Sequence, residues 1–135
     1  MIVKKYAKEI VILLISLGVA IVGYWTRQNY TYHDTKQPQQ VLKTKEKTND
    51  DVVLIFHKTG CPDCKQVVRQ INQAIKQGQA DEYLIVDTKD SNLYEKYNII
   101  EVPTAIHLRD GKEIDRQAGI NNLNKLEKVI HAAKE

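Results

Sequence analysis

The chain of 135 residues contains two cysteines, and both lie in the tetrapeptide Cys61-Pro62-Asp63-Cys64. Two thiols three positions apart on the first turn of a helix are close enough to form a disulfide. Because so small a loop removes little chain entropy, stabilisation of the fold is a poor explanation for such a bridge. The spacing instead indicates reversible thiol–disulfide exchange.

The position of the pair at the start of a predicted helix favours reactivity of the first thiol. Unpaired backbone N–H groups and the helix dipole stabilise a thiolate at Cys61, and Pro62 costs no hydrogen bond at the first helical position. Lys58 would stabilise that thiolate further, whereas the Asp63 carboxylate would oppose it. Cys64, one turn deeper, is the predicted resolving thiol, which attacks the mixed disulfide formed by Cys61.

Half of a zinc site is the main alternative for the cysteine pair. Structural zinc takes four ligands, and the chain has no second cysteine pair. His57 and His107 fall in different predicted strands, so they form a weak ligand set with the cysteines. We therefore expect no metal, and we interpret His57 as a polar residue at the end of a strand.

Strands and helices alternate along the region that must position the pair. The apolar runs predict strands over 51–56, 82–87 and 104–108, and Asp110-Gly111 predicts a hairpin that returns over 112–117. Helices are predicted over 39–47, 62–77, 90–97 and from Asn121 or Asn122 onward, the last burying Leu123, Leu126, Val129, Ile130 and Ala133. This order predicts an α/β fold with a mixed central sheet of about four strands flanked by helices.

An uncharged apolar run, Ile10 to Trp25, precedes this region. As a helix it would span about 24 Å, slightly less than a ~30 Å hydrocarbon core. Three lysines before the run place residues 1–9 in the cytoplasm, although Arg27 on the other side weakens this orientation. A secretory signal cleaved near Gly18-Val19-Ala20 and a buried core helix are the alternatives.

The remaining composition divides the chain into an anchor, a tether and a domain. Residues 26–37 are polar without apolar periodicity, so we expect a tether there, followed by a domain over 38–135. The formal net charge of +3 lies near the anchor, because residues 49–135 carry 12 basic and 14 acidic side chains. The domain has no basic stripe interleaved with aromatic residues, so we expect no nucleic-acid partner.

From about residue 38 to residue 135 the chain resembles the thioredoxin family. The residues that carry the resemblance are the apolar strand ending at Phe56, Cys61-Pro62-Asp63-Cys64-Lys65, Tyr97-Asn98-Ile99-Ile100-Glu101-Val102-Pro103-Thr104, Arg109-Asp110-Gly111-Lys112-Glu113 and Gly119. The resemblance implies a thioredoxin fold in which Pro103 is cis and lies against the active-site sulfurs. It also implies that the backbone of Val102 pairs with a substrate peptide like an added strand.

The sequence departs from cytoplasmic thioredoxins in ways that bear on function. Gly60 stands where those proteins have a tryptophan, Pro62-Asp63 replace Gly-Pro, and their buried aspartate aligns with Ile55. The lysine that usually accompanies that aspartate aligns near Leu84. The intervening proline and Val102 are more similar to oxidant and glutaredoxin-type relatives, and membrane-tethered bacteriocin accessory proteins show the same layout.

Together these features predict a membrane-anchored, extracytoplasmic thiol–disulfide oxidoreductase that uses the Cys61–Cys64 disulfide and no other cofactor. Its partners would be protein thiols or disulfides, a redox partner protein and the membrane through residues 10–25, whereas the direction of exchange and the oligomeric state stay open. Two other hypotheses remain: a non-catalytic adaptor in a membrane secretion or conjugation complex, and a copper or zinc carrier that uses the cysteine pair.

Overall fold

The N-terminal helix is longer than the apolar run that predicts it. In the computed structural model, which describes residues 2–48, 50–78 and 82–132, helix α1 covers Ile2–Tyr30. Residues 2–27 are exposed, and the end of α1 contacts α3 through Gln28 and Asn29. Within the described part of the chain, α1 is the one helix whose length and composition suit a membrane span. A buried core helix, one of the alternatives for this run, is wrong, because none of its apolar window is buried.

The predicted alternation of strands and helices is confirmed, with boundaries that shift by at most two residues. The elements after α1 are α2 (Pro38–Thr48), β1 (Val52–His57), α3 (Pro62–Gln77), β2 (Tyr83–Asp87), α4 (Ser91–Lys96), β3 (Thr104–Arg109), β4 (Lys112–Ala118) and α5 (Leu123–His131). Asp90 accepts from the backbone N–H of Leu93 to cap α4, and Asn122 accepts from that of Lys125 to cap α5. Side-chain oxygens at these positions satisfy N–H groups that have no partner within the helix.

Among the described residues, the four strands form one mixed sheet in the order β2-β1-β3-β4. Strand β1 runs parallel to β2 and antiparallel to β3, and β3 and β4 form an antiparallel hairpin. The hairpin turns at Asp110 and Gly111, whose φ angles are 54° and 74°. Both angles are positive, as tight hairpin turns require, so the Asp-Gly prediction is confirmed.

Strand β1 is buried on both faces, as its continuous apolar run predicts. One core cluster packs Val53 and Ile55 against α3 and α5, and a second packs Leu54 and Phe56 against α2 and α4. The prediction for α5 is wrong at Leu123, which is 48% exposed, because the helix begins there and first meets the core at Leu126. Ala133, also expected on that face, lies outside the described residues.

The segment predicted as a tether, residues 26–37, differs from a loose linker. Residues 26–30 continue α1, and residues after them contact α3, β1 and β2. These contacts are hydrogen bonds, one ring stack and the packing of Tyr32 against the core, and they form no apolar stripe. That is why hydrophobic periodicity gives no sign of them.

Substitution of Phe56 tests how much the core packed against β1 contributes to the free energy of unfolding. Its ring is fully buried and meets the Tyr94 ring edge-on at a centroid distance of 5.2 Å. Phe56→Ala leaves a cavity, so we expect the free energy of unfolding to fall by about 3–5 kcal/mol. Urea denaturation followed by circular dichroism measures this loss. The matched control Ile114→Ala, at a half-exposed strand position, should change stability by no more than about 0.5 kcal/mol, and equal losses for the two variants would contradict the assignment.

Candidate active site

Cys61 stands at the N-cap of α3, at the end of the turn that leaves β1. Its Sγ accepts a hydrogen bond from the backbone N–H of Cys64 at 3.1 Å, and its own N–H donates to the Lys58 carbonyl at 3.2 Å. Gly60, with a φ of 83°, makes the turn, and Pro62 occupies the first position of the helix. A sulfur that accepts a helix N-terminal N–H is placed for thiolate chemistry, as the sequence predicts.

Cys64 lies one turn deeper and is 1% exposed. Burial, followed by the hydrogen bond with Cys61, raises the pKa of the Cys64 thiol to about 12. The neighbouring Asp63 carboxylate acts in the same direction, and a backbone hydrogen bond with Lys58 opposes it. Both cysteines are free thiols. The half-buried Cys61 is therefore the accessible thiol of the pair, and Cys64 is held protonated behind it.

The Val102–Pro103 segment borders the first sulfur. The peptide bond between these residues is cis, and the Val102 carbonyl oxygen lies 3.8 Å from the Cys61 Sγ. Pro103 is buried, and its carbonyl accepts from the Gly119 N–H at 2.8 Å, which fixes the loop to the end of β4. The structure thus brings together the four residues predicted to react and to bind substrate. Their catalytic and binding roles stay predictions.

The three residues predicted to modulate the thiols are placed differently from one another. Pro62 is exposed at the start of α3, and Asp63 is half-buried in its first turn. The side chain of Lys58 is exposed, and its contacts with both cysteines run through its backbone. The Asp63 carboxylate opposes ionisation of the Cys64 thiol. In the sequence, Asp63 lies two residues after Cys61.

Two tyrosine hydroxyls fasten the turn that carries the cysteines. Tyr94 donates to the carbonyl of His57, where β1 ends, and Tyr32 donates to the carbonyl of Cys64, both at 2.6 Å. Burial raises the pKa of both phenols, so each hydroxyl keeps its proton and remains a donor. The turn between β1 and α3 is held from two sides.

A polar cluster of Asp34, His57 and Asp87 lies beside the pair. The His57 Nε2 is 2.5 Å from Asp34 Oδ1 and 4.0 Å from Asp87 Oδ2, and the ring stacks on Tyr32 with centroids 4.1 Å apart. Burial would raise the pKa of Asp87, but hydrogen bonds from Thr88, the Lys89 N–H and Thr59, together with His57, hold it below its usual range. The cluster joins the segment after α1 to the ends of β1 and β2.

The same three residues are the described group that could hold a metal ion, since each brings one ligand atom to within 4.8 Å of the others. The described structure does not bring His107 to the cysteines. It pairs with Val53, about 13 Å along β1 from His57. The zinc half-site considered from the sequence therefore lacks its second histidine.

The cysteines open into a groove of about 290 Å³. One wall is the turn from His57 to Cys61, with Cys64 at the start of α3, and the other wall is the segment from Tyr30 to Tyr32 with Asp34. Sequence reasoning missed this second wall. Two tyrosines in a stretch otherwise suited to a polar linker were the available signal, because aromatic side chains are uncommon in flexible linkers.

The depth of Cys64 makes its reactivity strongly dependent on pH. Because burial raises its pKa, its thiolate fraction and its alkylation rate should rise about tenfold for each pH unit and should still be rising at pH 9. Iodoacetamide trapping of the full-length Cys61→Ser protein measures this rate, with Cys64→Ser as the matched control for the outer thiol. A plateau in the Cys64 rate below about pH 9 would contradict the buried position.

Comparison with known proteins agrees with this geometry. A sequence model of the family described as thioredoxin-like domain matches residues 38–134. A thioredoxin of Mycoplasmoides gallisepticum is 31% identical over 85 residues, or 62% of this chain and 84% of that protein. A TPR repeat-containing thioredoxin of Arabidopsis thaliana is 30% identical over 88 residues, which are 64% of this chain and 23% of that much longer protein.

A solved structure shares the fold. Thioredoxin NaTrxh from Nicotiana alata superimposes with a TM-score of 0.63 at 24% identity, over 77% of this chain and 90% of that one. The described residues of this chain form a mixed four-stranded sheet with helices on both faces and a cis-proline loop beside a Cys-X-X-Cys pair. The chain therefore belongs to the thioredoxin-like domain family, and its fold and cysteine pair support a function of the thiol–disulfide oxidoreductase type.

Proposed function

We propose that this protein is a membrane-anchored thiol–disulfide oxidoreductase whose domain acts on proteins outside the cytoplasm. The observation that carries the proposal is the pairing of an accessible Cys61 Sγ, which accepts a helix N-terminal N–H, with a buried Cys64 one turn below it. A structural disulfide needs no such difference between its two sulfurs. An exchange reaction needs this difference, because one thiol must be accessible to the substrate and the other must react only after the mixed disulfide has formed.

The exchange proceeds in two balanced steps. The Cys61 thiolate attacks one sulfur of a substrate disulfide, forming a mixed disulfide and releasing the other substrate sulfur as a thiolate. The Cys64 thiol then loses its proton and attacks the Cys61 Sγ, which releases the second substrate thiolate and closes the Cys61–Cys64 disulfide. Two electrons pass from the pair to the substrate. Read in reverse, the same steps oxidise a substrate dithiol.

A second dithiol or disulfide protein must restore the pair after each cycle, because the two cysteines hold only two electrons. The reaction itself needs no metal or organic cofactor, since the sulfurs supply both the nucleophile and the leaving group. The direction of exchange depends on the potential of this partner relative to that of the Cys61–Cys64 couple.

Val102 and Pro103 form the proposed binding edge for the substrate. The Val102 carbonyl borders Cys61, and the chain leading to it is open, with Ile100 90% exposed. An extended substrate segment that pairs with the Val102 backbone would lay a substrate sulfur beside Cys61. The exposed Ile100 side chain adds an apolar contact at the approach to this edge.

Trapping tests the catalytic assignment. Cys64→Ala removes the resolving thiol, so full-length protein carrying this change should accumulate Cys61-linked adducts with extracytoplasmic proteins in its native cell. Non-reducing electrophoresis and mass spectrometry identify the adducts, and the double variant Cys61→Ser/Cys64→Ala is the matched control. If no adduct depends on Cys61, or if Cys61→Ser leaves biological activity intact, the catalytic proposal fails and the adaptor hypothesis takes its place.

The membrane assignment has its own test. If α1 spans the bilayer, the full-length protein should stay in the membrane fraction after alkaline carbonate extraction, and added protease should reach the domain from the extracytoplasmic side only. Release by carbonate, or a mature N-terminus at or after residue 21, would show that the segment is a cleaved signal rather than an anchor.

A further inference from the structure

The end of α1 is fixed to the active-site helix. The buried side-chain amide of Asn72, on α3, donates to the carbonyls of Gln28, Asn29 and Thr31 at 3.2, 3.1 and 2.9 Å. The Lys76 ammonium donates to Asn29 Oδ1 at 3.0 Å. A carbonyl at a helix C-terminus has no partner within its own helix, so these bonds satisfy groups that a free helix end would leave to water.

The residues that follow are fixed to the sheet. Asp34 and Tyr32 both engage His57 on β1, through the carboxylate and the stacked ring. Thr35 pairs with Ile85 of β2 twice, since its N–H donates to the Ile85 carbonyl at 3.0 Å and its Oγ1 accepts from the Ile85 N–H at 2.9 Å. We call residues 28–35 the joint. It contacts α3, β1 and β2.

The joint brings the catalytic groove close to the end of the predicted membrane span. Tyr30, the last residue of α1, borders the groove that contains Cys61 and Cys64. It lies five residues after Trp25, a rise of about 7.5 Å along the helix axis. Residues 2–27 are exposed, so nothing in the described structure separates the domain from a bilayer whose interface lies at Trp25.

We propose that the joint holds the catalytic groove against the bilayer surface, so that the substrates are membrane-anchored proteins whose exchanging cysteines lie close to the membrane. This inference rests on the proposed function and names its substrate class. A flexible tether of 12 residues would let the domain range over about 20 Å. The joint removes that freedom. Substrate cysteines held near the bilayer therefore have a high effective concentration at the groove.

Reporter substrates in proteoliposomes test the inference. Each reporter is a single membrane-spanning helix, a Gly/Ser linker of about 5 or about 60 residues and a hairpin closed by one disulfide. Full-length Cys64→Ala protein is reduced and reconstituted with either reporter, and the rate of Cys61-dependent adduct formation is measured on non-reducing gels. We expect the short-linker reporter to react at least as fast as the long-linker reporter.

The matched control separates the groove from the membrane and keeps the contacts of the joint with α3, β1 and β2. A flexible insert of about 30 residues between Arg27 and Gln28 keeps residues 28–132 together but lets the domain move about 30 Å away. We expect the insert to lower the ratio of short-linker to long-linker rates about tenfold, and to leave exchange with a soluble peptide disulfide unchanged. An unchanged ratio, or a short-linker reporter that never reacts with the uninserted protein, would overturn the inference.

The soluble peptide disulfide separates the two possible failures. Suppose that the protein without the insert exchanges with this peptide, but the insert does not change the ratio of short-linker to long-linker rates. The proposed function then stands, and only the membrane-proximal substrate class fails. If the protein does not exchange with the peptide at all, the proposed function fails and the inference fails with it.

Asn72→Ala provides a second variant. Loss of the three amide bonds should speed hydrogen exchange at the Thr35 N–H and lower the same reporter ratio in the same direction as the insert. Faster exchange at Thr35 with an unchanged ratio would count against the joint as the element that holds the groove in place.

Discussion

The burial of β1 on both faces is the constraint on which the candidate active site depends. Val53 and Ile55 belong to the core cluster on one side of the sheet, and Leu54 and Phe56 belong to the cluster on the other. The strand therefore cannot slide or tilt without opening both clusters at once. Its carboxyl end at His57 is a fixed point, and the turn to Cys61 starts from it. The packing of the two core clusters therefore determines where the Cys61 sulfur lies.

Two identical side chains acquire different chemistry mainly from their depth. Cys61 sits at the rim, with its sulfur facing a helix N–H and the Val102 carbonyl, whereas Cys64 lies inside, where burial favours the neutral thiol. A single helical turn is enough to separate the two environments, because the first turn of α3 passes from the groove into the core. Ile55, fully buried beneath this region of the sheet, adds no charge to the interior.

The part of the structure that sequence reasoning predicts is the part built from periodic burial and local backbone signals. Pro62 and the apolar stripe of α3 define that helix to the residue, and the Asp110-Gly111 turn defines the hairpin. The cysteine pair follows from its spacing and its place after a buried strand. The joint was missed because Asn72 and Thr35 act through a few polar contacts with residues more than 40 positions away, and such contacts leave no repeating pattern.

The joint also constrains the order in which the molecule is assembled. Thr35 leaves the ribosome 50 residues before its partner Ile85, and Gln28 leaves it 44 residues before Asn72. Residues 28–35 therefore lack these partners until α3 and β2 have been synthesised. The second wall of the groove exists only after α1, α3 and β2 are all in place. A nascent chain therefore carries its cysteines in an incomplete site until the joint closes.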